Sequence, residues 1–553
     1  MVKITCYDGV STIGGNKILL QDGDSALLLD FGKSFSDAGR FFDEFLQPRT
    51  NSALRDLIGL GLLPEIPGIY RQDLLALPGA WEQAQESKVP AAARRMWESE
   101  LPSCESYLEE HSRPRVDGVL LSHGHADHFQ HISFLSPEIP VYGSPVTRAV
   151  LRACQETGHG GFEGDVWTCP DRVCTQIKSG TFPGAAKIER QKKDRERPFT
   201  IIEPFVRAKI GGFEVEPVPV DHSVPGAYSY IITCPSGKTI FYTGDLRFHG
   251  RLSLPPFDLS ARLRERVRGL RPDVAITEGT RIEESAGDSE RDVEDSISKL
   301  ISDCSGLGIV DFGWKDTTRF ETILSVARAT GRKLAVSPKV ALLWEYLRGL
   351  DPERYHDLAA DPNVRVYLER RESMLYSLAD YTKCKYAAGV TTDWGDDSKA
   401  MKGAYESQDE EYLAPRLRHY RNGVRAYDIA ANPRDYILHA GYFDLNELFD
   451  VEPPPASIFI RAATEPFSDE MRLDEARLAT WLRHFGLLTE GQEVVHQHAS
   501  GHANGDDLCQ FLRDMEPRTI LPIHTEHPDA YVDRLGDVFD VMVPIKGQEI
   551  AVP

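Results

Sequence analysis

A short run of the sequence, SHGHADH at residues 122–128, contains three histidines and one aspartate within seven positions. Imidazole nitrogens and carboxylate oxygens are the ligands that zinc and similar divalent ions prefer, at about 2.0 to 2.2 Å. One isolated histidine is more often structural or solvated, but His123, His125, Asp127 and His128 lie too close together for that explanation. The spacing predicts a metal site, and a loop that turns alternate side chains in two directions can bind two neighbouring ions.

Three further candidate ligands follow apolar runs that resemble β-strands. His222 lies in PVDHSVPG, Asp245 in FYTGDLRF and His524 in LPIHTEH. Any one of them alone would be interpreted as a structural or solvated residue. All three would stand at strand ends, where the edge of a sheet could present them to the same site as HGHADH. Together the residues are enough for two sets of metal ligands.

Two other segments carry polar groups that could act on a substrate. HASGH at residues 498–502, taken alone, predicts only a glycine-containing turn before a helix. Such a turn offers unpaired N–H donors to an anion. Glu278 in AITEGT follows a predicted strand and, taken alone, would be an exposed strand-end carboxylate.

Composition limits the classes of function. The 553 residues, 41% of them hydrophobic, are enough for more than one packed domain. The net charge of -22 argues against a general nucleic-acid coat protein, because a polyanion would have to be held by a local basic patch or by metal. Nine cysteines without a CxxC pair indicate neither a disulfide framework nor a thiolate zinc site.

The sequence also favours a particular location. The start, MVKITCYDGVSTIGG, lacks a basic segment followed by an apolar one, and no run approaches the roughly 20 apolar residues of a membrane span. We therefore expect a cytoplasmic protein without a membrane segment.

The elements that must position the candidate residues are predicted from apolar periodicity. The beginning is β-rich, at ITCYDGV and KILLQDGDSALLLDFG, and a helical insertion with charged faces follows at about residues 34–113. Strands resume at FEVEPVPVDH, AYSYIITC and KTIFYTGD. Between residues 273 and 455 strands and helices alternate, which predicts a parallel sheet covered by helices. EPPP at residues 452–455 predicts a stiff connector.

With these motifs the sequence resembles the metallo-β-lactamase fold superfamily, and within it the β-CASP nucleases that include ribonuclease J. The resemblance covers nearly the whole chain. It implies an α/β fold in which residues 1–275, with the helical insertion, and residues 456–553 form one αββα sandwich. Residues 276–455 would form the inserted β-CASP domain.

The resemblance also implies roles for the candidate ligands. Asp30 in LLLDFG matches the first family motif, a buried aspartate that orders the metal loop. The chain would hold two divalent ions, zinc or else manganese. One ion would be bound by His123, His125 and His222, and the second by Asp127, His128 and His524. Asp245 would bridge the two ions.

In the same way, Glu278 matches the acidic β-CASP residue and His502 the histidine of the HxSGH motif. Glu278 would hold His502 in one tautomer and raise its basicity, so that the imidazolium can protonate a leaving oxygen. The predicted catalytic residues are Asp127, Glu278 and His502. The predicted contacts to a substrate phosphate are His498, Ser500, Gly501 and His502.

These residues predict hydrolysis of a phosphodiester. That reaction requires a nucleophile at neutral pH and relief of negative charge on phosphorus, and a pair of metal ions can supply both. The resemblance implies a nuclease that leaves 5′-phosphate products, and a histidine at position 524 favours RNA, since DNA-specific members have valine there. A DNA nuclease of the same family and a small-ester or lactone metallohydrolase stay open as alternatives. A catalytically inactive scaffold is disfavoured because no ligand is missing.

Several weaker features complete the predictions. The basic segment KIERQKKDRERPF, residues 187–199, could form a wall of a nucleic-acid channel or a solvated loop. Arg319 in GWKDTTRF matches a position that contacts the nucleic-acid backbone in related nucleases, although an arginine at a helix start is commonly solvated. Thr525 stands where the family has glycine, which predicts a local backbone difference. Nucleic acid, RNA before DNA, is the expected partner, and a homodimer is left open.

The other histidines fit no ligand motif and are interpreted as structural. They are His131, His159, His249, His439, His484, His496 and His527.

Overall fold

The computed structural model describes the chain except residues 44, 50–51, 87, 97, 159–161, 177–185, 191–194, 370–422, 465–468 and 553. The described residues form three seven-stranded sheets and one two-stranded hairpin, with helices on the sheet faces. Within this part of the chain, every helix is too short or too polar to cross a membrane.

The first sheet combines an antiparallel meander with a parallel edge. Its first three strands in sequence pair antiparallel, and the strands that carry the metal loop extend the sheet in parallel. In spatial order the strands are β23 (Glu549–Ala551), β1 (Val2–Asp8), β2 (Lys17–Asp22), β3 (Ser25–Phe31), β4 (Gly118–Leu120), β5 (Val141–Gly143) and β8 (Phe199–Ile201).

The second sheet is antiparallel at one side and parallel at the other. Its strands, in spatial order, are β22 (Asp540–Val541), β21 (Thr519–Pro522), β13 (Val274–Thr277), β12 (Thr239–Tyr242), β11 (Tyr228–Thr233), β10 (Phe213–Pro219) and β9 (Ala208–Ile210). A separate hairpin pairs β6 (Arg172–Gln176) with β7 (Ala186–Arg190).

The third sheet is parallel throughout. Its strands, in spatial order, are β17 (Val424–Arg425), β16 (Val364–Leu368), β15 (Lys333–Val336), β18 (Tyr436–His439), β14 (Gly308–Asp311), β19 (Ile458–Arg461) and β20 (Val495–His496).

The helices fall into an early group, inserted before and around the metal loop, and a later group on the second and third sheets. The early helices are α1 (Phe35–Gly39), α2 (Ala53–Gly59), α3 (Gln72–Leu75), α4 (Ala80–Glu86), α5 (Cys104–His111), α6 (Ala126–Phe129) and α7 (Pro145–Thr157). The later helices are α8 (Leu259–Val267), α9 (Glu290–Asp303), α10 (Thr317–Thr330), α11 (Pro338–Leu350), α12 (Ala426–Ala431), α13 (Leu448–Val451), α14 (Asp469–His484), α15 (Gly505–Met515) and α16 (Pro528–Leu535).

Alternation along the strands arranges the first two sheets into four layers. In β2, Ile18 faces the core between the two sheets, whereas its neighbour Leu19 faces the early helices. In β12, Ile240 faces the same inter-sheet core, whereas Phe241 packs against α15 and α16. Since successive side chains in a strand point to opposite faces, each of these strands covers two cores. The predicted αββα sandwich with an inserted α/β domain is confirmed.

The helices α1 to α5 lie within the predicted helical insertion. Leu54 and Leu57 of α2 and Ile69 pack against the outer face of the first sheet. The insertion therefore supplies part of the outer helical layer of the sandwich.

The predicted domain boundary at residue 456 is wrong. β19 and β20 follow that position, yet β19 pairs with β14 and β20 pairs with β19 in the third sheet. The EPPP connector is a turn within the inserted domain, where Gly306 N donates to Ala456 O at 3.2 Å. The chain returns to the sandwich only between β20 and α15, so the HASGH segment itself is the crossing.

Candidate metal centre

The metal loop follows β4 and ends in the short helix α6, with His125 at the helix N-cap. Gly15 N donates to Asp127 O at 3.0 Å, and Lys33 N donates to Ala126 O at 3.2 Å. A Cβ added at Gly32 would lie 1.6 Å from Asp127 O. Glycine is therefore needed at position 32 for the loop to pack against the end of β3.

Asp30 holds this loop from beneath. The register of β2 and β3 shifts between the pairs Lys17–Phe31 and Ile18–Leu29, so Asp30 is the extra residue of a β-bulge, with φ of 56°. Its buried carboxylate accepts from Ser122 N at 2.7 Å and from Tyr242 Oη at 2.5 Å. It also accepts from His128 Nδ1 at 2.7 Å, which leaves Nε2 of His128 free for a ligand.

The first ligand group contains His123, His125, His222 and Asp245. His125 Nδ1 lies 3.1 Å from His123 Nε2 and 2.9 Å from His222 Nε2, and Asp245 Oδ2 lies 3.5 Å from His123 Nε2. Ligand atoms at tetrahedral bond lengths of about 2.05 Å would be about 3.3 Å apart. The observed spacings are close to that value.

The protonation of this group also suits a metal. Burial holds the pKa of His123, His125 and His222 well below the usual range, and the neighbouring imidazoles act in the same direction. The three rings are therefore neutral, and each can offer a nitrogen lone pair.

The second ligand group contains Asp127, His128, Asp245 and His524. His128 Nε2 lies 3.0 Å from Asp245 Oδ2 and 3.7 Å from Asp127 Oδ2. His524 Nε2 lies 3.9 Å from Asp127 Oδ2, and the rings of His128 and His524 are stacked with centroids 5.1 Å apart. Asp245 belongs to both groups.

Asp245 and His128 form a charged pair in this second group. Burial would raise the pKa of Asp245, but His128, His524 and His123 outweigh it and hold that pKa well below the usual range. Burial would lower the pKa of His128, but the carboxylates of Asp245 and Asp127 outweigh it and raise that pKa well above the usual range. A bound cation would replace the proton on His128 Nε2.

Unsatisfied buried atoms test whether a metal fits here. Both ring nitrogens of His524 and Asp245 Oδ1 are buried and have no hydrogen-bond partner in the described part of the chain. Each such atom costs about 1 to 3 kcal/mol when it is left unpaired. Imidazole and carboxylate donors that converge without partners suit divalent ions, so the residues fit the metal that the sequence predicts.

Glu278 and His502 stand next to both ligand groups. Glu278, 0% exposed at the end of β13, accepts from Leu246 N at 2.9 Å, and its Oε2 lies 2.9 Å from His502 Nδ1. This contact fixes a proton on Nδ1 and directs Nε2 of His502 away from Glu278. The ring of His502 lies 5.3 Å from that of His222 and 5.5 Å from that of His524.

The carboxylate of Glu278 controls the charge of His502. Burial would lower the pKa of His502, but Glu278 outweighs it by its charge and hydrogen bond, and the pKa is raised to about 9. His502 is therefore an imidazolium at neutral pH. Glu278 is buried and paired rather than an exposed strand-end carboxylate.

The HASGH turn, residues 498–502, contacts the first ligand group through its backbone. Gly501 O accepts from His222 Nδ1 at 2.6 Å, which leaves His222 Nε2 free for a metal. A Cβ at Gly501 would lie 3.0 Å from His222 Cε1 and 2.7 Å from Ser223 Oγ. His502 N donates to Ser500 Oγ at 3.1 Å, so the Ser500 hydroxyl keeps its own proton for another acceptor.

His498 lies apart from the metal ligands. Burial and the neighbouring Arg319 lower the pKa of His498 to about 3, so its imidazole is neutral. Its Nδ1 is buried without a partner in the described residues.

The prediction for Arg319 is wrong in both of its forms. Arg319 is 0% exposed, and its Nε and Nη2 donate to Glu290 at 2.7 and 3.0 Å. It can therefore neither contact a nucleic acid nor be solvated. This pairing could not be foreseen from the residues around Arg319, because Glu290 lies on the preceding helix.

The basic segment is described only in part, since residues 191–194 lie outside the described residues. Arg197 is 3% exposed and donates to Leu135 O at 3.1 Å, and Arg195 pairs with Glu138 at 2.9 Å. Arg197 is thus a buried residue rather than part of a channel wall.

Sequence reasoning missed three residues that contact the site's backbone. Arg247 and His249 each donate to Ser500 O, at 3.3 and 3.1 Å. Lys315 Nζ donates to Gly124 O of the metal loop at 3.0 Å. Arg247 and His249 closely follow Asp245 in the sequence, and this proximity was the one available signal.

The remaining predictions concern Thr525 and the other histidines. His524 has φ of 50° and its N donates to Gly9 O at 2.7 Å, while Thr525 is buried and its Oγ1 accepts from His527 N at 3.0 Å. Among the other histidines, His159 lies outside the described residues. Five more lie outside both ligand groups: His131, His439, His484, His496 and His527.

Comparison with known proteins supports the same family. Residues 492–542 match the family model described as "Zn-dependent metallo-hydrolase RNA specificity domain". A ribonuclease J of Sinorhizobium meliloti is 26% identical over 76% of this chain and 59% of its own length. A ribonuclease J of Helicobacter pylori strain J99 is 20% identical over 95% of this chain and 56% of its own length. The chain thus spans less than two thirds of the length of these relatives.

A solved structure of similar fold comes from Enterococcus faecalis V583. That protein of unknown function is 20% identical to this chain, covers 99% of it and is itself covered to 99%, with a TM-score of 0.62. The likeness shows the fold alone. With the four layers, the inserted sheet and the matched C-terminal region, the chain has an αββα sandwich with an inserted α/β domain, and it is similar to ribonuclease J.

Proposed function

We propose that this protein is a metal-dependent nuclease that hydrolyses phosphodiester bonds in RNA and leaves 5′-phosphate ends. The observation that carries the proposal is the convergence of two ligand groups on Asp245, with the Glu278–His502 pair beside both. The names of the relatives and the matched RNA-specificity domain support RNA as the substrate.

The ligand groups would hold two ions, zinc in this proposal. His123, His125 and His222 would bind one ion, Asp127, His128 and His524 would bind the other, and Asp245 would bridge them. When bound, such ions lower the pKa of a water molecule toward neutrality and offset the charge of a phosphate.

His502 would provide the proton that the leaving oxygen needs. Its Nδ1 proton is held by Glu278, so the Nε2 proton of the imidazolium is the one to transfer. Transfer to the 3′ oxygen would leave the phosphate on the 5′ end of the other product. Glu278 would support the charge without itself contacting the substrate.

The HASGH turn would hold the phosphate. The Ser500 hydroxyl proton and the N–H groups of Ser500 and Gly501 are the available donors, since His502 N is already bonded to Ser500 Oγ. His498, predicted to join them, would contribute as a neutral imidazole.

One experiment tests the function. Purified protein would be stripped of metal, reloaded with zinc or manganese, and assayed on 5′-labelled RNA and DNA, single- and double-stranded, with the product ends tested for 5′ phosphate. We expect metal-dependent cleavage of RNA, and the label would distinguish release of mononucleotides from internal cleavage. Cleavage of DNA in preference to RNA would replace the substrate. Hydrolysis of small esters or lactones without cleavage of either nucleic acid would overturn the proposal.

A further inference from the structure

We propose that two buried arginines, Arg319 of the inserted domain and Arg247 of the sandwich, position the HASGH turn for catalysis. This inference rests on the proposed function. It makes Arg319 a positioning residue rather than a nucleic-acid contact, and it makes the inserted domain part of the catalytic site.

Arg319 holds the approach to the turn from the side of the inserted domain. It lies in the first turn of α10, and its bidentate partner Glu290 begins α9. With its remaining donors it reaches the carbonyls of Ala462, Gln497 and Ala499, at 2.6, 3.4 and 3.4 Å. One guanidinium therefore joins two helices of the inserted domain to the backbone on either side of His498.

Arg247 holds the turn from the side of the sandwich. Its Nε donates to Asp221 at 3.0 Å and its Nη1 to Ser500 O at 3.3 Å. Its Nη2 donates at 3.1 Å to Oγ1 of Thr318, the residue before Arg319. Because Asp221 precedes the ligand His222, this network also contacts the backbone of the metal centre.

The geometry of the peptide bond gives these contacts a consequence for catalysis. In a planar trans peptide the C=O and the following N–H point in opposite directions. The carbonyls of Ala499 and Ser500 point to the arginines, so the N–H groups of Ser500 and Gly501 point away from them. Neither N–H bonds to another described residue. The arginines thus orient the two amides that would bind the substrate phosphate.

Burial explains why these arginines act through position. Arg247 is 1% exposed and Arg319 0%, and each has a carboxylate partner that offsets the cost of burying its charge. A lysine in place of Arg319 would keep the charge but lose the planar fork that reaches Glu290 and the carbonyls together. The turn would then lose its fixed orientation while the metal ligands stayed in place.

Arg332 offers a matched control. It too is a buried arginine of the inserted domain, 5% exposed, and it donates to the carbonyls of Ile301 at 3.1 Å and Gly306 at 2.8 Å. Gly306 lies before the start of β14, whereas the HASGH turn follows the end of β20 in the same parallel sheet, so the two lie at opposite ends of the strands. Arg319→Lys and Arg332→Lys therefore make the same chemical change, with and without contact to the site.

The experiment compares the wild type, Arg319→Lys and Arg332→Lys, all loaded with zinc, on 5′-labelled single-stranded RNA and on bis(p-nitrophenyl) phosphate. We expect Arg319→Lys to lower kcat on both substrates by about 10-fold to 100-fold, as a misplaced catalytic group does, with metal content unchanged. Arg332→Lys should retain the wild-type kcat. The salt dependence of kcat/KM should be unchanged in both variants, whereas loss of a direct phosphate contact would reduce its slope by about 0.7.

A raised KM and a reduced salt slope in Arg319→Lys, with kcat on the small diester unchanged, would overturn the inference and restore Arg319 as a nucleic-acid contact. Equal losses of kcat in Arg319→Lys and Arg332→Lys would also overturn it, as a general effect of buried arginines. Should Arg319→Lys fail to fold, Thr318→Val removes one acceptor of Arg247 and must lower kcat in the same direction for the inference to stand. Failure of the wild type to cleave RNA would instead refute the proposed function.

Discussion

The metal loop and the HASGH turn meet at one site but are held in different ways. The loop, residues 122–128, contributes four of the candidate ligands, and its contacts to Asp30 and Gly15 lie within the sandwich. The turn lies where the chain passes from the inserted domain to the sandwich, and an arginine of each holds its carbonyls. The difference indicates that the candidate metal ligands all come from the sandwich, with Lys315 of the inserted domain contacting only the backbone of the loop. The proposed acid and phosphate donors depend on both domains.

This comparison separates two kinds of defect. A change around the loop should remove metal ions, and activity should be lost with them. A change around the turn should leave the ions bound and lower only the rate. Metal content and rate, measured on the same preparations, therefore test the comparison.

The largest effect is expected at Asp245, which both ligand groups share. Asp245→Asn removes the negative charge that both ions would meet, so we expect metal content to fall below one ion per chain and RNA cleavage to become undetectable. Metal analysis after dialysis against zinc checks this. Asp22→Asn is a matched control. Asp22 is also a buried aspartate, but it lies at the end of β2 that is far from the bulge at Asp30 and the metal loop. Two tightly held ions in Asp245→Asn would contradict the bridging role.

His502→Ala should reveal the opposite behaviour. His502 contacts Glu278 rather than serving as a ligand in the proposed pair of shells, so both ions should stay bound while RNA cleavage slows by about 10² to 10⁴-fold, the usual range for a positioned acid. The readouts are kcat on labelled RNA and metal content.

The leaving group provides the control for His502→Ala. Bis(p-nitrophenyl) phosphate releases a weakly basic phenolate that needs no proton, so its hydrolysis should lose much less rate. If both substrates slowed equally, His502 would have to act on the phosphate rather than on the leaving oxygen.

Asp30→Asn should weaken the metal loop through a tautomer change. Asparagine tolerates the positive φ of this position, so the bulge should persist. Its NH2 group would then face His128 Nδ1, which must accept, and the ring proton would move to Nε2, where the metal would bind. We expect metal affinity to fall by about 10 to 100-fold. Competition with a chromophoric chelator measures this, and an unchanged affinity would show that Asp30 does not set the tautomer.

The candidate metal ligands could be recognised in the sequence because their positions have local causes. His123 to His128 lie in one loop after a strand, and Asp245 and His524 follow the apolar runs that became β12 and β21. The αββα layers were implied by the resemblance of these same motifs to a known family, and alternation within strands such as β2 then accounts for them. These signals need no knowledge of distant partners.

The errors arose where the cause lies far away in the sequence. The EPPP connector suggested a domain boundary, but the SIFIRA run after it forms β19, which pairs with β14 of the inserted domain. The sequence around a parallel strand does not indicate which strand it will pair with. Arg319 resembled a substrate contact because its partner Glu290 and the carbonyl of Ala499 could not be foreseen from neighbouring residues. The HASGH turn was found by its motif, whereas its position between domains was not.

The smallest effect, and the finest test of the comparison, concerns Glu278. Glu278→Gln keeps both ions and the imidazole of His502 but removes the charge that raises the pKa of His502 to about 9. In the proposed mechanism the protonated imidazole is the active form, so activity would be lost as pH rises through this pKa, and a lower pKa would move the loss to lower pH. We therefore expect Glu278→Gln to lose more activity relative to the wild type at pH 8 than at pH 7.

The measurement is the alkaline limb of kcat/KM on labelled RNA for the wild type and Glu278→Gln. Bound divalent ions lower the pKa of His502 in both proteins, because their positive charge opposes the imidazolium, so the expected result is the displacement between the two limbs rather than either absolute position. In His502→Ala the same limb should be absent, and adding Glu278→Gln to it should cost little more, since both residues serve one proton transfer. An alkaline limb that stays in place in Glu278→Gln would show that the carboxylate orients the ring without setting its charge.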